Sequence, residues 1–577
     1  MDMIQTLEQD ISDIVTTLFN ISDVHVLIEH PSDEHNGDYS SNISLAISKQ
    51  VGKNPREIGD LIITELRKKE YSYLNKIELA GPGFINFYLD PSFLFNDIRE
   101  KAQNIQQNSE SDHLAGEKIM VEYAHPNTHK EMHIGHMRTL IVGEALARIF
   151  THTGAEVFRA NYQGDVGPHV AKAIWGTQKI LSERGIDWDE ADKLTSPEKA
   201  HLLGEGYVRG NKDYEAFESE IKDLNQKLYA KDAEVMPIYK KTRQWSLDYY
   251  DELYARFGTQ FDRFFFESDV ADAGVKIVNE HIGDVFSPSE GAIVFDAHQY
   301  GLHTRVFITK EGYPTYEAKD IGLAPEQYAA FPFSKNIHVV GDEQAGYFKV
   351  VIKAIELINP EMEGKEEHLS MGMVNLKGLK MSSRTGVIIT VDGLLEEVKE
   401  EVKKIAENTD LSGKVLEEML EVVTIGAVKY SVLKNDPERY VLFDLEETVS
   451  LEGNSGPYLQ YVYARCQSIL DKSEVDVSAF DGNIFIDSLS ELETSLMRHL
   501  HNYRTTVQEA ADKYKPNLMC NYLFELAQKY NSFYNQKPIL QADTQEEMLF
   551  RLCLTKATAE TIKSGLGLLG ISVVNRM

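Results

Sequence analysis

Between residues 118 and 164 the chain passes from the apolar run KIMVEYA through HPNTHKEMHIG to the long stretch HMRTLIVGEALARIFTHTG and back to AEVFRANYQG. No other segment limits the possible folds as strongly. The two flanking runs carry the β-branched and aromatic residues of buried strands. Between them Ile134, Met137, Ile141, Ala145 and Ile149 recur at helical spacing, and Gly154 is the residue type that stops a helix in the left-handed conformation. A strand, a crossover helix and a second strand in so short a stretch form a βαβ unit, whose two strands must be parallel. The fold class is therefore α/β, with a parallel sheet at its centre.

The other segments arrange themselves around that unit, and 577 residues exceed what one hydrophobic core holds. Residues 1–110 read as an α+β module. MDMIQTLEQDISDIV and NISLAISKQVGKNPREIGDLIITELRKK follow helix periodicity, and in IELAGPGFINFYL the residues Gly81, Pro82 and Gly83 turn the chain into an alternating strand. The polar stretch NIQQNSESDHLAGEK links this module to the α/β domain, placed at 115–395. A charged helical insertion interrupts that domain at about 175–290. GAIVF, HTRVFITKEG and NIHVVG then read as strands, and QAGYFKVVIKAIELI as a crossover helix. Residues 396–577 are expected to form an all-α domain.

Composition narrows the function. Cys466, Cys520 and Cys553 include no CxxC pair, which argues against a structural zinc site and for a reducing compartment. The N-terminus lacks the basic and apolar regions of a signal peptide, and no apolar stretch approaches a membrane span. A cytoplasmic protein without membrane contact is expected. The net charge of −32 leans against a generic nucleic-acid binder, although a local basic path on an acidic body can still carry RNA.

Four histidines, His125, His129, His133 and His136, crowd the strand-to-helix junction. Zinc is one use for them, but no carboxylate or cysteine completes a standard spacing, so no bound protein metal is expected. Helix capping or plain exposure is a second use. Phosphate chemistry is the third: a helix N-terminus after a parallel strand favours an anion, Gly135 permits close approach to the backbone, and two imidazoles on one face can donate to a phosphoryl group. The chain has no GxxxxGK[ST] loop, so the polyphosphate needs another cation. NLKGLKMSSRTG, residues 375–386, offers Lys377, Lys380 and Arg384 among small flexible residues, and such a loop can follow charge into a transition state.

HxGH after a first strand, with KMSSR late in the same block, resembles the two signatures of class I aminoacyl-tRNA synthetases. Within that class the chain is similar to arginyl-tRNA synthetases, in VEYAHPNTHKEMHIGHMRT, FFFES, PTYEAKDIG, VVGDEQAGYFK, KMSSRTG, LEGNSGPYLQYVYAR, GLGLLGISVVNRM and the N-terminal GPGFINFYL. The resemblance implies a Rossmann-like catalytic domain, an N-terminal module that touches tRNA and a helical anticodon-binding domain. It implies ATP-dependent ligation of L-arginine to the 3′ end of its tRNA through an arginyl-adenylate, with tRNA required for activation. ATP is a substrate, Mg2+ is expected from the ATP, and a monomer is expected.

The resemblance also implies site residues. His133, His136 and Lys380 are the catalytic set; Gly135, Met381 and Ser382 join them in binding ATP. His125, Asn127, His136, Glu267, Tyr316, Asp320 and Gln344 match the arginine site, with Glu267 and Asp320 on the guanidinium, which needs buried carboxylates in fork geometry. Tyr458, Gln460, Tyr461, Arg498 and Arg504 are expected on tRNA. His499, Lys513, Lys515, Tyr503 and Tyr514 add the cations and aromatics that single-stranded RNA readout uses. Four positions depart from the family pattern: His125 replaces a small hydroxyl residue, Phe266 a glycine, Tyr347 a histidine, and Ser383 a lysine. The catalytic charge of the loop falls on Lys377, Lys380 or Arg384. A class I synthetase for another amino acid, a related nucleotidylyltransferase and a non-catalytic tRNA-binding relative are the alternatives. The Glu267 and Asp320 motifs speak against the first two, and the intact HxGH and KMSSR against the third.

Overall fold

The structure, a computed structural model, describes residues 3–22, 24–31, 33–377, 390–406, 409–473, 475 and 489–577. The chain divides into two compact units. One joins Met1–Ser109 to Cys466–Tyr503 and Glu525–Thr561; the other joins Glu110–Arg465 to Arg504–Phe524 and Ile562–Met577.

The larger unit is built on a five-stranded sheet. Its strands are β1 (Lys118–Glu122), β2 (Glu156–Gln163), β3 (Arg263–Phe266), β4 (Lys335–Gly341) and β5 (Glu366–Met371), in the order β5-β4-β1-β2-β3. Every neighbouring pair is parallel. Helix α1 (Ile134–His152) crosses from β1 to β2 and packs across β1, β2 and β4. The residues that gave α1 its sequence signal, Ile134, Met137, Ile141, Ala145 and Ile149, are at most 2% exposed, and burying each large one stabilises by roughly 1.5–3 kcal/mol. Gly154 follows α1 with φ +100°, as a C′ stop requires. Three further helices, α2 (Glu267–Glu280), α3 (Tyr316–Ala330) and α4 (Ala345–Ile358), contribute Val270, Ala318, Ile321, Val350 and Ala354 to a core that also holds Met120, Ala160 and Phe265 of the sheet.

The stretch read as an insertion is helical from Pro168 to Arg256, but the chain rejoins the parallel sheet at β3, inside the range first assigned to the insertion. Of the three later strand readings only NIHVVG enters that sheet. Ala292–Phe295 and Arg305–Ile308 pair antiparallel, with Ser287–Ser289, in a separate three-stranded sheet. Strand periodicity was readable there; the choice of sheet was not, because it depends on which helix faces need cover.

In the smaller unit Ile28–Glu29, Tyr39–Ser41, Leu74–Ala80 and Phe84–Leu89 form a four-stranded antiparallel sheet. Gly81 and Gly83 turn its hairpin with positive φ. Helices Glu491–His501 and Gln545–Leu568 lie in this same unit for much of their length. Arg498 pairs with the buried Asp38 at 2.9 Å, His501 with Asp97 at 2.8 Å, and Phe95 meets Phe550 at 5.4 Å between ring centres. The described residues of 396–577 otherwise carry helices, except that Val441–Phe443 pairs with Val374–Leu376 as a short parallel ribbon.

Candidate active site

Strands β1, β2 and β3 run outward in one direction from the sheet centre, and β4 and β5 in the other. The strand order therefore reverses between β1 and β4, and ligands of open parallel sheets bind beyond the carboxyl ends of the strands at such a point. The HxGH segment follows β1, Gly164 follows β2, Glu267 follows β3, and the turn Asp342–Gln344 follows β4.

His133 is the N-cap of α1. Its Nδ1 accepts from the backbone N–H of Gly135 at 3.1 Å and of His136 at 3.4 Å, an imidazole in the role usually held by Ser or Asp. A Cβ on Gly135 would lie 2.9 Å from Cε1 and 3.0 Å from Nδ1 of that ring, so the capping imidazole itself requires the glycine. The first N–H groups of the helix, expected on a phosphate, are thus partly spent on His133. The two HxGH rings stack with centres 3.7 Å apart. Burial, and then Lys130, depress His133 to about 4. Burial together with His133, His125 and Lys130 holds His136 well below the usual imidazole range. Both rings are neutral dipolar donors at physiological pH rather than cations. Nδ1 of His136 and Nε2 of His125 are buried without a hydrogen-bond partner.

His129 has a different task. It is fully buried between the hydroxyls of Thr128 and Thr242, each at 2.9 Å, and its backbone N–H donates to Ser246 at 2.8 Å. It fastens the HPNTH loop, with φ +63° at His129 itself, to the helix Met236–Arg256. Tyr250 of that helix holds the carbonyls of Asn127 and Lys130 at 2.6 and 2.7 Å.

The acidic half of the site lies on α2 and α3. Gly274 and Gly322 let these helices touch: a Cβ on Gly274 would sit 1.9 Å from the Ala318 carbonyl oxygen. The approach brings Glu267, first residue of α2, against Lys319 in the first turn of α3, as a buried ion pair. Burial raises Glu267 and outweighs the lowering by Lys319; for Lys319, burial pulls down but Glu267 prevails and the ammonium is raised. Asp320 accepts from the Tyr347 hydroxyl at 2.6 Å, and burial pushes its carboxyl up to about 8, with Glu122 and Glu267 adding to the rise. Asn127 comes to the same place, because a Cβ on Gly164 would lie 2.3 Å from Asn127 Oδ1 and 3.1 Å from Glu267 Oε1. Tyr316, on the same helix as Asp320, is 56% exposed and its ring lies 5.2 Å from the Lys319 ammonium. Gln344 is exposed at the end of β4. His125 adopts φ +48° and stands 3.6 Å from Glu122.

Lys319 was not among the expected site residues, although it adjoins Asp320 in EAKDIG. The sequence carries no sign that Glu267 would meet it. The unusual Phe266 also finds its reason here: the Arg243 guanidinium lies 3.9 Å from the ring centre and donates to the buried Asp165 at 2.8 Å, which in turn accepts from Ser268 of α2. A second support is the buried row Glu122–His338–Glu366 across β1, β4 and β5, with contacts of 3.0 and 2.8 Å. Burial opposes the charge on His338, but the two carboxylates raise it well above the imidazole range.

Lys380, Met381 and Ser382 lie outside the described residues. The residues on either side of them are described. Arg138 of α1, 2% exposed, donates to the carbonyls of Gly372, Met373, Asp436, Pro437 and Arg439. On the far side Val391 donates to the Met132 carbonyl at 3.0 Å, and Thr390 pairs with His133. Lys377, one of the three loop cations, is tied to Asp444 at 2.6 Å.

Two residues expected on tRNA are engaged within the protein. Gln460 is fully buried and donates to the carbonyls of Ser572 at 2.8 Å and Val422 at 3.3 Å, so it pins the C-terminal segment. Arg498 is committed to Asp38. Tyr503 is fully buried as well, and Lys513 and Lys515 pair with Glu509 and Asp436. Arg504 is exposed. Tyr458 packs on Phe524. Tyr461 lines an apolar cavity of about 130 Å³ with Val402, Met419, Pro457 and Met577.

Comparison with known proteins fits this geometry. Residues 99–445 match the family described as tRNA synthetases class I (R), catalytic domain; residues 459–577 match the DALR anticodon binding domain; and residues 3–89 match the arginyl tRNA synthetase N terminal domain. The chain is 31% identical over 567 residues to the arginine–tRNA ligase of Clostridium botulinum, covering 97% of each chain. It is 30% identical to that of Bacteroides fragilis, covering 88% of this chain and 89% of the other. Among solved structures it is similar to the arginyl-tRNA synthetase of Thermus thermophilus, with a TM-score of 0.83, 25% identity and full coverage of both chains.

Proposed function

The chain belongs to the arginyl-tRNA synthetase family, and from that premise we propose how its residues carry the reaction. It is an arginine–tRNA ligase. The carboxylate of L-arginine attacks the α-phosphorus of ATP, pyrophosphate leaves, and a ribose hydroxyl at the 3′ end of the cognate tRNA then takes the arginyl group from the adenylate.

The observation that carries the residue assignment is the convergence, beyond the ends of β1 and β3, of two neutral imidazoles with an acidic pocket on α2 and α3. Charge counting favours one cation in that pocket. Lys319 already neutralises Glu267, which leaves Asp320, held only by the Tyr347 hydroxyl, as the carboxyl matched to one guanidinium. Glu267, Asp320 and Tyr316 receive the guanidinium; Asn127, Gln344 and His125 hold the α-amino and carboxylate end. His133 accepts backbone N–H at Nδ1, so its proton sits on Nε2 and is available to a phosphoryl oxygen. His136 donates beside it, touching both arginine and ATP. Gly135, Lys380, Met381 and Ser382 complete the nucleotide site. Two neutral donors placed where negative charge develops favour the transition state over bound ATP.

Magnesium arrives as the ATP complex; among the described residues no group of three or more His, Cys, Asp or Glu side chains could hold a metal. Among those residues, too, no helix is long and apolar enough to cross a membrane. We place the enzyme in the cytoplasm as a monomer, with residues 1–110 and 396–577 contacting tRNA and activation dependent on tRNA. ATP–pyrophosphate exchange with arginine tests this reading: exchange near background without tRNA and rising on its addition supports it. Equal exchange in both conditions refutes the tRNA coupling, and preference for another amino acid refutes the substrate.

A further inference from the structure

The substrate's guanidinium spreads its donors around a plane, so its acceptors must come from more than one side. A guanidinium carries five N–H groups and no acceptor. Asp320 accepts from Tyr347 through Oδ2, and Glu267 holds Lys319 through Oε2. The oxygens not so engaged are Asp320 Oδ1 and Glu267 Oε1, and Tyr316 stands at the exposed mouth. An N–H that points away from these oxygens needs a further acceptor, because a buried N–H without a partner costs about 1–3 kcal/mol.

Tyr162 is placed to do so. It is the penultimate residue of β2, pairs in register with Phe265 of β3, and so stands two residues before the point where Glu267 opens α2. Its ring packs, as does that of Tyr347, against the hydrophobic core to which Phe265, Ala318 and Ile321 belong. Its hydroxyl is buried and has no hydrogen-bond partner. The groups that act on it electrostatically are Asp320 first, then Glu267, Glu122 and Asp165; burial and these carboxylates keep the phenol neutral. A buried hydroxyl with no partner, facing acidic groups on several elements, is an acceptor waiting for a cationic donor.

We infer that the Tyr162 hydroxyl is a direct, specificity-determining contact of the substrate's guanidinium group, accepting an N–H that Asp320 and Glu267 leave unpaired. This rests on the arginine-ligase reading above. Lysine, with three donors on a single nitrogen, cannot present one donor there and others to both carboxylates in the same planar fork, so the contact adds discrimination as well as affinity.

The test is Tyr162→Phe in the full chain, which removes one oxygen and keeps the ring. KM for arginine should rise roughly ten- to a hundred-fold, the range for a hydrogen bond to a charged group, with KM for ATP unchanged. Because the lost hydroxyl has no partner in the arginine-free protein, the thermal midpoint without arginine should be equal or higher, while the upward shift produced by saturating arginine shrinks. Unchanged arginine KM, or equal increases in the KM values of arginine and ATP, would overturn the inference. So would a lower midpoint without arginine, which would make Tyr162 structural. Wild-type protein that fails to charge tRNA with arginine would refute the functional reading instead, and that measurement precedes the variant.

Discussion

Replacing Asp320 with asparagine should stabilise the arginine-free enzyme while removing its ability to use arginine. The folded-state carboxyl sits at about 8, against an ordinary value of 3.8, chiefly because burial disfavours its charge. Between those two values the folded protein binds a proton that the unfolded chain releases. This group's contribution to stability therefore falls as pH rises from about 4, and the loss is complete above about 8. Asparagine keeps the shape and can still accept from Tyr347, but has no such loss, so the thermal midpoint of the variant should exceed that of wild type by more as pH increases. Arginine binding runs the other way. The guanidinium needs the carboxylate, so wild-type KM carries a factor of about 11 at pH 7 and about 1.1 at pH 9, a roughly tenfold fall across that interval. Asp320→Asn should raise KM by roughly a hundredfold or more, on the order of 3 kcal/mol, and should lose this pH dependence. Aminoacylation kinetics across pH 6.5–9, with thermal denaturation in the presence and absence of arginine, reads all three effects. A wild-type KM flat from pH 7 to 9, a variant less stable without arginine, or a variant with normal KM would each refute the reasoning.

His133→Ala and His136→Ala should each lower turnover by roughly 10²–10³, the cost of one transition-state donor, with little change in ATP binding; normal turnover would return both rings to helix capping and packing. Lys319→Met should leave Glu267 as a buried unpaired carboxylate, destabilising the fold by about 3–5 kcal/mol, and the additional change Glu267→Gln should recover most of that loss in denaturant titrations. Deleting residues 1–109 should do more than weaken tRNA binding. It strips Asp38 from Arg498, Asp97 from His501 and Phe95 from Phe550, so helices Glu491–His501 and Gln545–Leu568 should gain amide hydrogen exchange, and unchanged protection there would show that they fold without the module.

The site residues were legible to different degrees. The spacing of Ile134, Met137, Ile141, Ala145 and Ile149 announced α1, and a helix there placed the HxGH rings at a strand end. The carboxylates Glu267 and Asp320 stood out only through motif resemblance, since in composition they are ordinary acidic residues. Lys319 and Tyr162 gave no signal at all. Gln460 and Arg498 sat in a convincing cationic and aromatic context, yet the fold spends the first on the Ser572 and Val422 carbonyls and the second on Asp38. One chain position cannot reveal whether its polar atoms will find partners inside the protein.

Local order was thus settled by the chain itself: hydrophobic period, breaker residues and the demands of a parallel crossover depend on neighbours a few residues apart. From them came the parallel sheet, the N-terminal hairpin, the helical C-terminal third and the position of the HxGH segment. Tertiary structure decided which charges are already spent. Glu267 meets Lys319 across a helix pair that Gly274 and Gly322 bring into contact, and Asp320 accepts from the hydroxyl of Tyr347 on another helix. Those pairings join residues up to 52 positions apart, and their consequence, an Asp320 carboxyl without a cation of its own, arises from burial, which no stretch of sequence carries by itself.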